Sequence, residues 1–217
     1  PGATILTYWH TGAAGDALSN DEIIAGLRDA LKVGSERVVA QLGTLDGFNL
    51  DPKIHIPLPG ALQDVQKTLA KFGMSGLADD LELRLNRAAE DATPEAKALF
   101  LDAIGQMSVD DARGILEGPD DAATQYFKGK MSAPLGKRMN PIVDSSLSEV
   151  GAVAAYDKMM GQYQAIPFVP DAKADLTEYV VEKGLDGIFY YVAQEEAAIR
   201  NDPAKRTTEI LKKVFGA

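Results

Sequence analysis

Apolar residues recur every three or four positions along most of the chain, which is the spacing of an α-helix with one buried face. One such stripe begins after Ser19-Asn20-Asp21-Glu22, a capping box in which a serine hydroxyl and a glutamate carboxylate bind free N–H groups of the first turn. The pattern predicts an all-α protein, a bundle of about eight or nine helices. The clearest stripe consists of Ala96, Leu99, Phe100, Ala103, Ile104 and Met107.

Glycine and proline residues predict where these helices end. Gly73 separates one pair of predicted helices, because glycine commonly ends a helix. Thr93-Pro94 and Ala133-Pro134 each predict a break and a new start, because proline lacks the N–H that a helix interior needs. Two segments rich in proline, 44–59 and 166–170, are predicted to be extended connectors.

A predicted helix near residues 176–200 carries apolar side chains in every direction around its axis, most densely from Ile188 to Val192. A helix that is apolar on all sides is surrounded by other helices, so we place this one at the centre of the bundle. Residues 1–17 show no sustained period and predict an irregular N-terminal arm. The rest, residues 18–217, is predicted to be a single all-helical domain.

Charge and composition narrow the classes of partner. The net charge is −10, from 22 Lys and Arg against 32 Asp and Glu, so we expect no nucleic acid partner. The basic stretch 128–138 is interpreted as a solvated helix face, with an anionic partner as the alternative. No apolar run reaches the ~18 residues of a membrane span, so no transmembrane segment is predicted. Because the chain begins with Pro1 instead of Met, we expect a leader or a tag to have been removed.

The sequence contains few residues of the types that carry catalysis. It has no cysteine, which excludes thiol nucleophiles and zinc-thiolate sites. Its two histidines are His10, in the arm, and His55, between two isoleucines, and no nucleophile-elbow or phosphate-binding glycine pattern is present. We therefore predict no catalytic residue, no metal site and no cofactor.

Two arginines on one predicted helix form the first candidate ligand-binding cluster. Arg84 lies at the edge of an apolar stripe, and with Arg87 it is expected either to form a ladder of salt bridges with Asp80 and Asp91 or to bind a carboxylate or phosphate in a groove. Glu90, on a different face of the same helix, is a further candidate ligand-binding residue.

A polar helix start after Pro119 forms the second candidate cluster. Asp120 and Asp121 are expected to accept free N–H groups of the first turn, and Thr124 and Tyr126 follow them as a possible wall of a polar pocket. Glu90, Asp102 and Asp120 are carboxylates of the type that binds hard cations, but calcium-loop spacing is absent, so no metal is predicted.

Many separated stretches of the chain follow, in one order, the pattern of a known family. They include Ile56-Pro57-Leu58-Pro59, Leu85-Asn86-Arg87-Ala88-Ala89-Glu90, Gly118-Pro119-Asp120-Asp121, Leu185-Asp186-Gly187-Ile188-Phe189 and Glu195-Glu196. On these residues the chain, from Leu18 to Phe215, resembles a bacterial family catalogued as domain of unknown function 4197. Members of the family look like exported proteins, so the resemblance implies a periplasmic or cell-envelope location, although it implies no reaction.

The leading hypothesis is a non-catalytic exported protein that binds a protein partner or an amphipathic, lipid-like small molecule. One alternative is a hydrolase, with or without a metal ion, that works through the carboxylates of Glu90, Asp102, Asp120 or Asp121. A second is a scaffold that acts only through protein contacts. The sequence carries no signal for an oligomeric state.

Overall fold

A computed structural model describes residues 18–108, 111–163 and 175–216 of the chain. These residues form eight α-helices and one short 3₁₀-helix, Pro203–Lys205, and contain no β-strand, so the all-α prediction is confirmed. The predicted arm and the second predicted connector lie outside the described residues. The helices are α1 (Asn20–Leu42), α2 (Gly60–Lys71), α3 (Gly76–Gly105), α4 (Ala112–Leu116), α5 (Ala122–Glu149), α6 (Ala152–Tyr163), α7 (Leu176–Asn201) and α8 (Glu209–Phe215).

Four long helices, α1, α3, α5 and α7, pack together and enclose most of the core. Phe100 of α3, Phe127 of α5 and Phe189 of α7 meet inside it, with ring centroids 5.4 to 6.1 Å apart. Such tilted and edge-to-face contacts add to the stabilisation that comes from burying the rings. The shorter helices cover the outside: α2 lies on α3, α6 on α3 and α5, α4 on α1 and α5, and α8 on α1.

The predicted capping box at the start of α1 is present. The Ser19 hydroxyl accepts from the Glu22 N–H, and the Glu22 carboxylate accepts from the Ser19 N–H. The same carboxylate forms an ion pair with Lys213 of α8 and so ties the last helix to the first. The hydrogen bond from Lys213, followed by those from Ser19, lowers the pKa of Glu22 to about 2.

The predicted helix breaks at Thr93-Pro94 and Ala133-Pro134 are wrong. Pro94 lies inside α3, and Pro134 and Pro141 lie inside α5. All three prolines are exposed, and on the opposite side of α5 a buried stripe continues past them through Leu135 and Met139. The packing of that stripe holds the helix together, and water can bind the carbonyl groups of Lys130 and Lys137 that the α5 prolines leave without a donor.

The prediction that α7 is surrounded on every side is wrong in one respect. Ile188, Phe189 and Val192 are buried, and α7 packs against α1, α3 and α5. Tyr190, however, is 40% exposed, and Tyr191 is half-buried, with its hydroxyl donating to the Asp51 carboxylate. One face of α7 is therefore open to solvent, and it becomes a wall of the groove described below.

Candidate functional site

The connector between α1 and α2 is held against α3 by polar side chains spaced four residues apart. The Asn86 amide accepts from the Ile56 N–H and donates to the Ile56 carbonyl, each at 2.8 Å. One turn later, the buried Glu90 carboxylate accepts from the N–H groups of Phe48 and Asn49, both at 3.0 Å. These bonds satisfy backbone groups that have no secondary-structure partner. As a result, an irregular segment is fixed at a defined place on the helix bundle.

One turn before Asn86, Glu82 holds the same connector through a histidine. Its carboxylate accepts from the Leu58 N–H at 3.1 Å and lies 2.9 Å from His55 Nε2. The other ring nitrogen of His55, Nδ1, lies 2.8 Å from the carbonyl oxygen of Asn49. Both ring nitrogens of His55 therefore have a polar neighbour, one on the connector backbone and one on α3. His55 thus links the connector to α3.

Arg87 forms its ion pairs with residues other than Asp91, the partner that the spacing of four predicted. It donates to the Glu90 carboxylate at 2.6 Å and to the Asp46 carboxylate at 2.7 Å, so the predicted pair with Asp91 is wrong. The side-chain amide of Asn49, followed by the Arg87 guanidinium, holds the pKa of the Asp46 carboxyl below its usual range. Arg87, Asp46 and Glu90 together fix the loop that follows α1.

Arg84 is paired on a different side of α3. Its Nε donates to Asp80 at 3.1 Å, as the spacing of four predicted, and its Nη1 donates to the carbonyl of Val150 at the corner between α5 and α6. Arg84 thus forms the salt bridge with Asp80 that was predicted as the alternative to ligand binding. Binding of a ligand by Arg84, Arg87 or Glu90 stays a prediction, and these side chains line none of the cavities described below.

The start of α5 contains a buried ionic network that the sequence reasoning missed. Glu196 of α7 is 2% exposed and accepts from the N–H groups of Ala123 and Thr124, at 3.0 and 2.8 Å, and from the Thr124 hydroxyl at 2.7 Å. It is also paired at 2.8 Å with Arg200, which donates to the carbonyls at the end of α4. Glu196 thus accepts the free N–H groups in the first turn of α5, which is the role predicted for Asp120 and Asp121. The sequence indicated this network only through the adjacent acidic pair Glu195-Glu196.

The other predicted residues near this helix start lie apart from one another. Asp120 is exposed, and Asp121 accepts from Gln125 at 2.7 Å. Tyr126 donates its hydroxyl to Asp111, and this bond raises the pKa of Tyr126 and lowers that of Asp111. Of the seven predicted binding residues, only Asp121 and Thr124 line the groove described next.

The remaining candidate carboxylate, Asp102, lies at the surface in an ion pair of 3.0 Å with Arg138. Within the parts of the chain that the structure describes, no group of three or more His, Asp and Glu side chains could hold a metal ion. The four carboxylates proposed for hydrolysis lie in different surroundings, and the hydrolase alternative stays a prediction.

An open groove of about 630 Å³ lies between the first turns of α5, the exposed face of α7 and the connector. Lys53 and His55 of the connector form one wall, and Lys128 and Lys183 project from the two helices. Tyr190 contributes an exposed aromatic ring. The volume lies within the range of small-molecule sites in proteins. The groove combines three ammonium groups with an aromatic surface, in a chain whose net charge is strongly negative.

A second recess of about 560 Å³ continues from the groove along α5 and α7. Its lining combines apolar residues, among them Ala133, Val181 and Leu185, with the charged residues Lys137, Glu178 and Glu182. Lys128 and Asp186 line both cavities and form an ion pair of 2.7 Å, so this pair marks the junction between them. The groove thus carries more ammonium groups than carboxylates, and the recess adds an apolar patch that lies among charged side chains.

Fold and site together define an all-α bundle with an open, two-part groove between two of its long helices, α5 and α7. The chain matches, over residues 17–216, the model of a family described as "Protein of unknown function (DUF4197)", and it belongs to that family. Comparisons with curated proteins and with solved structures find no match. No helix in the described part of the chain is both long and apolar enough to cross a membrane.

Proposed function

We propose that this protein is a non-catalytic binding protein that holds an amphipathic small molecule in the groove between α5 and α7. The observation that carries the proposal is that a groove lined by lysine and tyrosine adjoins a recess with an apolar patch, since Lys128 and Asp186 line both. A ligand with one polar and one apolar end fits such a surface better than a wholly polar or wholly apolar one.

The walls of the groove are held in place without a ligand. The connector wall is tied to α3 by Glu82, Asn86 and Glu90, and the start of α5 is tied to α7 by Glu196. Binding therefore requires little ordering of the protein, which favours affinity.

The proposal includes export to the periplasm or cell envelope, and this part rests on the family resemblance alone. Fractionation of source cells, with an antibody against the protein, tests it: export predicts the protein in the envelope fraction, and recovery with cytoplasmic markers refutes it.

Native mass spectrometry of the protein purified from its source, followed by solvent extraction, tests ligand binding. We expect a co-purifying amphipathic molecule whose amount falls when Gly136 is replaced by Leu, because a leucine side chain there would fill the apolar recess. The matched control is Gly129→Leu, on the same helix outside both cavities. Protein that binds no amphiphile, either from its source or when added, would refute the proposal. A protein partner stays a second prediction, and Leu45, Leu50 and Phe72, which are 77%, 72% and 72% exposed, are among the apolar side chains available to it.

A further inference from the structure

We propose that the polar end of the ligand is an anion, a carboxylate or a phosphate ester, and that it binds Lys128 in place of Asp186. This inference rests on the proposed function and adds the chemical class of the ligand, its direction in the groove and the contact that it displaces.

The charges of the groove favour an anion. Lys53 has no carboxylate partner among the described residues, and the nearest carboxylate to Lys183, that of its neighbour Glu182, is 3.7 Å away. The acidic side chains that line the same groove are Asp121, which accepts from a glutamine, and Asp186. The ammonium groups therefore outnumber the carboxylates and are only partly neutralised by them.

Lys128 is the ammonium group at the junction of the two cavities. Its side chain and that of Asp186 are each about half exposed, at 49% and 47%, although their atoms approach to 2.7 Å. Ion pairs with this much solvent around them are weakly coupled, so a ligand anion can replace the carboxylate of Asp186 at little cost. The ammonium group also lies 5.9 Å from the ring centroid of Phe189, which limits its position.

The apolar recess determines the direction of the ligand. Gly136 has no side chain, and a Cβ atom there would lie 3.7 and 3.9 Å from Val181 and Leu185, which line the recess although they are largely buried. An acyl or alkyl chain that lies on these residues places its polar end at the junction, next to Lys128. The remaining lysines, Lys53 and Lys183, then face the polar end from the wider groove.

The test measures the affinity of the whole chain for four probes by isothermal titration calorimetry, below their critical micelle concentrations. The probes are dodecyl phosphate, dodecanoate, dodecanol and inorganic phosphate. We expect Asp186→Asn to tighten the binding of both anionic amphiphiles about two- to fivefold and Lys128→Gln to weaken it by a similar factor. Dodecanol should bind the variants and the wild type equally.

Asp102→Asn is the matched control, because it removes the same charge from another exposed ion pair, that with Arg138, which lies outside both cavities. Its effect gives the contribution of net charge alone. Melting curves from circular dichroism check that each variant is folded.

The outcomes separate this inference from the proposed function. Equal effects of Asp186→Asn and Asp102→Asn on the anionic probes would overturn the displacement of Asp186. Inorganic phosphate that binds as tightly as dodecyl phosphate would overturn the amphipathic class. Dodecanol that binds as tightly as dodecyl phosphate would overturn the anionic end and leave the proposed function standing. If no amphiphile binds, both fail.

Discussion

Replacement of Glu196 by leucine should destabilise the protein severely. The side chain of Arg200 is 8% exposed and would lose its counter-charge, and removal of one member of a buried pair costs about 3–5 kcal/mol. The N–H groups of Ala123 and Thr124 would also lose their acceptor, at about 1 kcal/mol each or more. Because these losses overlap, we expect a decrease of about 4–6 kcal/mol in the free energy of unfolding.

Urea unfolding followed by far-UV circular dichroism measures this decrease. Glu195→Leu is a matched control, since Glu195 is the neighbouring glutamate, is also paired with an arginine at 2.9 Å, and is 25% exposed. An ion pair of that kind contributes less than about 1 kcal/mol. Arg200→Met in both the wild type and Glu196→Leu backgrounds completes a double-mutant cycle, for which we expect a coupling energy of about 1–3 kcal/mol.

Two results would refute this reasoning. One is a loss in Glu196→Leu no larger than that in Glu195→Leu, and the other is a cycle without coupling between Glu196 and Arg200. If Glu196→Leu does not fold, Glu196→Gln gives a smaller step in the same direction, because the amide keeps one acceptor oxygen but loses the charge.

Three further predictions concern other contacts. In Gly187→Ala the new Cβ would lie 2.8 Å from a ring atom of Phe48, so we expect a loss of about 1–3 kcal/mol in urea unfolding, whereas Gly129→Ala, which meets open space, should gain about 0.5–1 kcal/mol. The pKa of Glu22 falls from 4.5 to about 2 on folding, so its carboxylate stabilises the protein above pH 4.5 and loses this effect as the pH falls toward 2. The difference in Tm between the wild type and Glu22→Gln should therefore shrink over that range, and a constant difference would contradict this. The hydrogen bond to a carboxylate raises the pKa of Tyr191 to about 12, so the ultraviolet titration of the wild type should contain a late step that Tyr191→Phe lacks.

The helices could be predicted from the sequence because their signals are local. The capping box at Ser19 and the stripe on the second half of α3 need only the residues within a few turns of each other. The breaks predicted at Pro94 and Pro134 are wrong because the free-energy cost of a proline inside a helix is local. Packing against residues that are distant in the sequence outweighs that cost. Whether such packing is present cannot be read from the residues next to the proline.

The candidate site could be predicted only in part, because its walls come from three distant segments. Lys53, Lys128 and Lys183 line one groove although they lie far apart in the sequence. Helical spacing gave the Asp80 partner of Arg84 but missed Asp46, the partner of Arg87, which lies 41 residues away on the connector. Periodicity orders the side chains on one helix and gives no information about which loop will lie beside it.

The connector that Asn86 and Glu90 bind to α3 has a kinetic consequence for whatever enters the groove. Since the N–H groups of Phe48, Ile56 and Leu58 are bound by side chains of α3 and Ile54 and Ile56 are buried, we expect this wall to stay in place when a ligand enters. Association should then proceed in one step, with an observed rate that rises linearly with ligand concentration and reaches no plateau. Stopped-flow mixing would reveal a rate-limiting rearrangement as saturation of that rate.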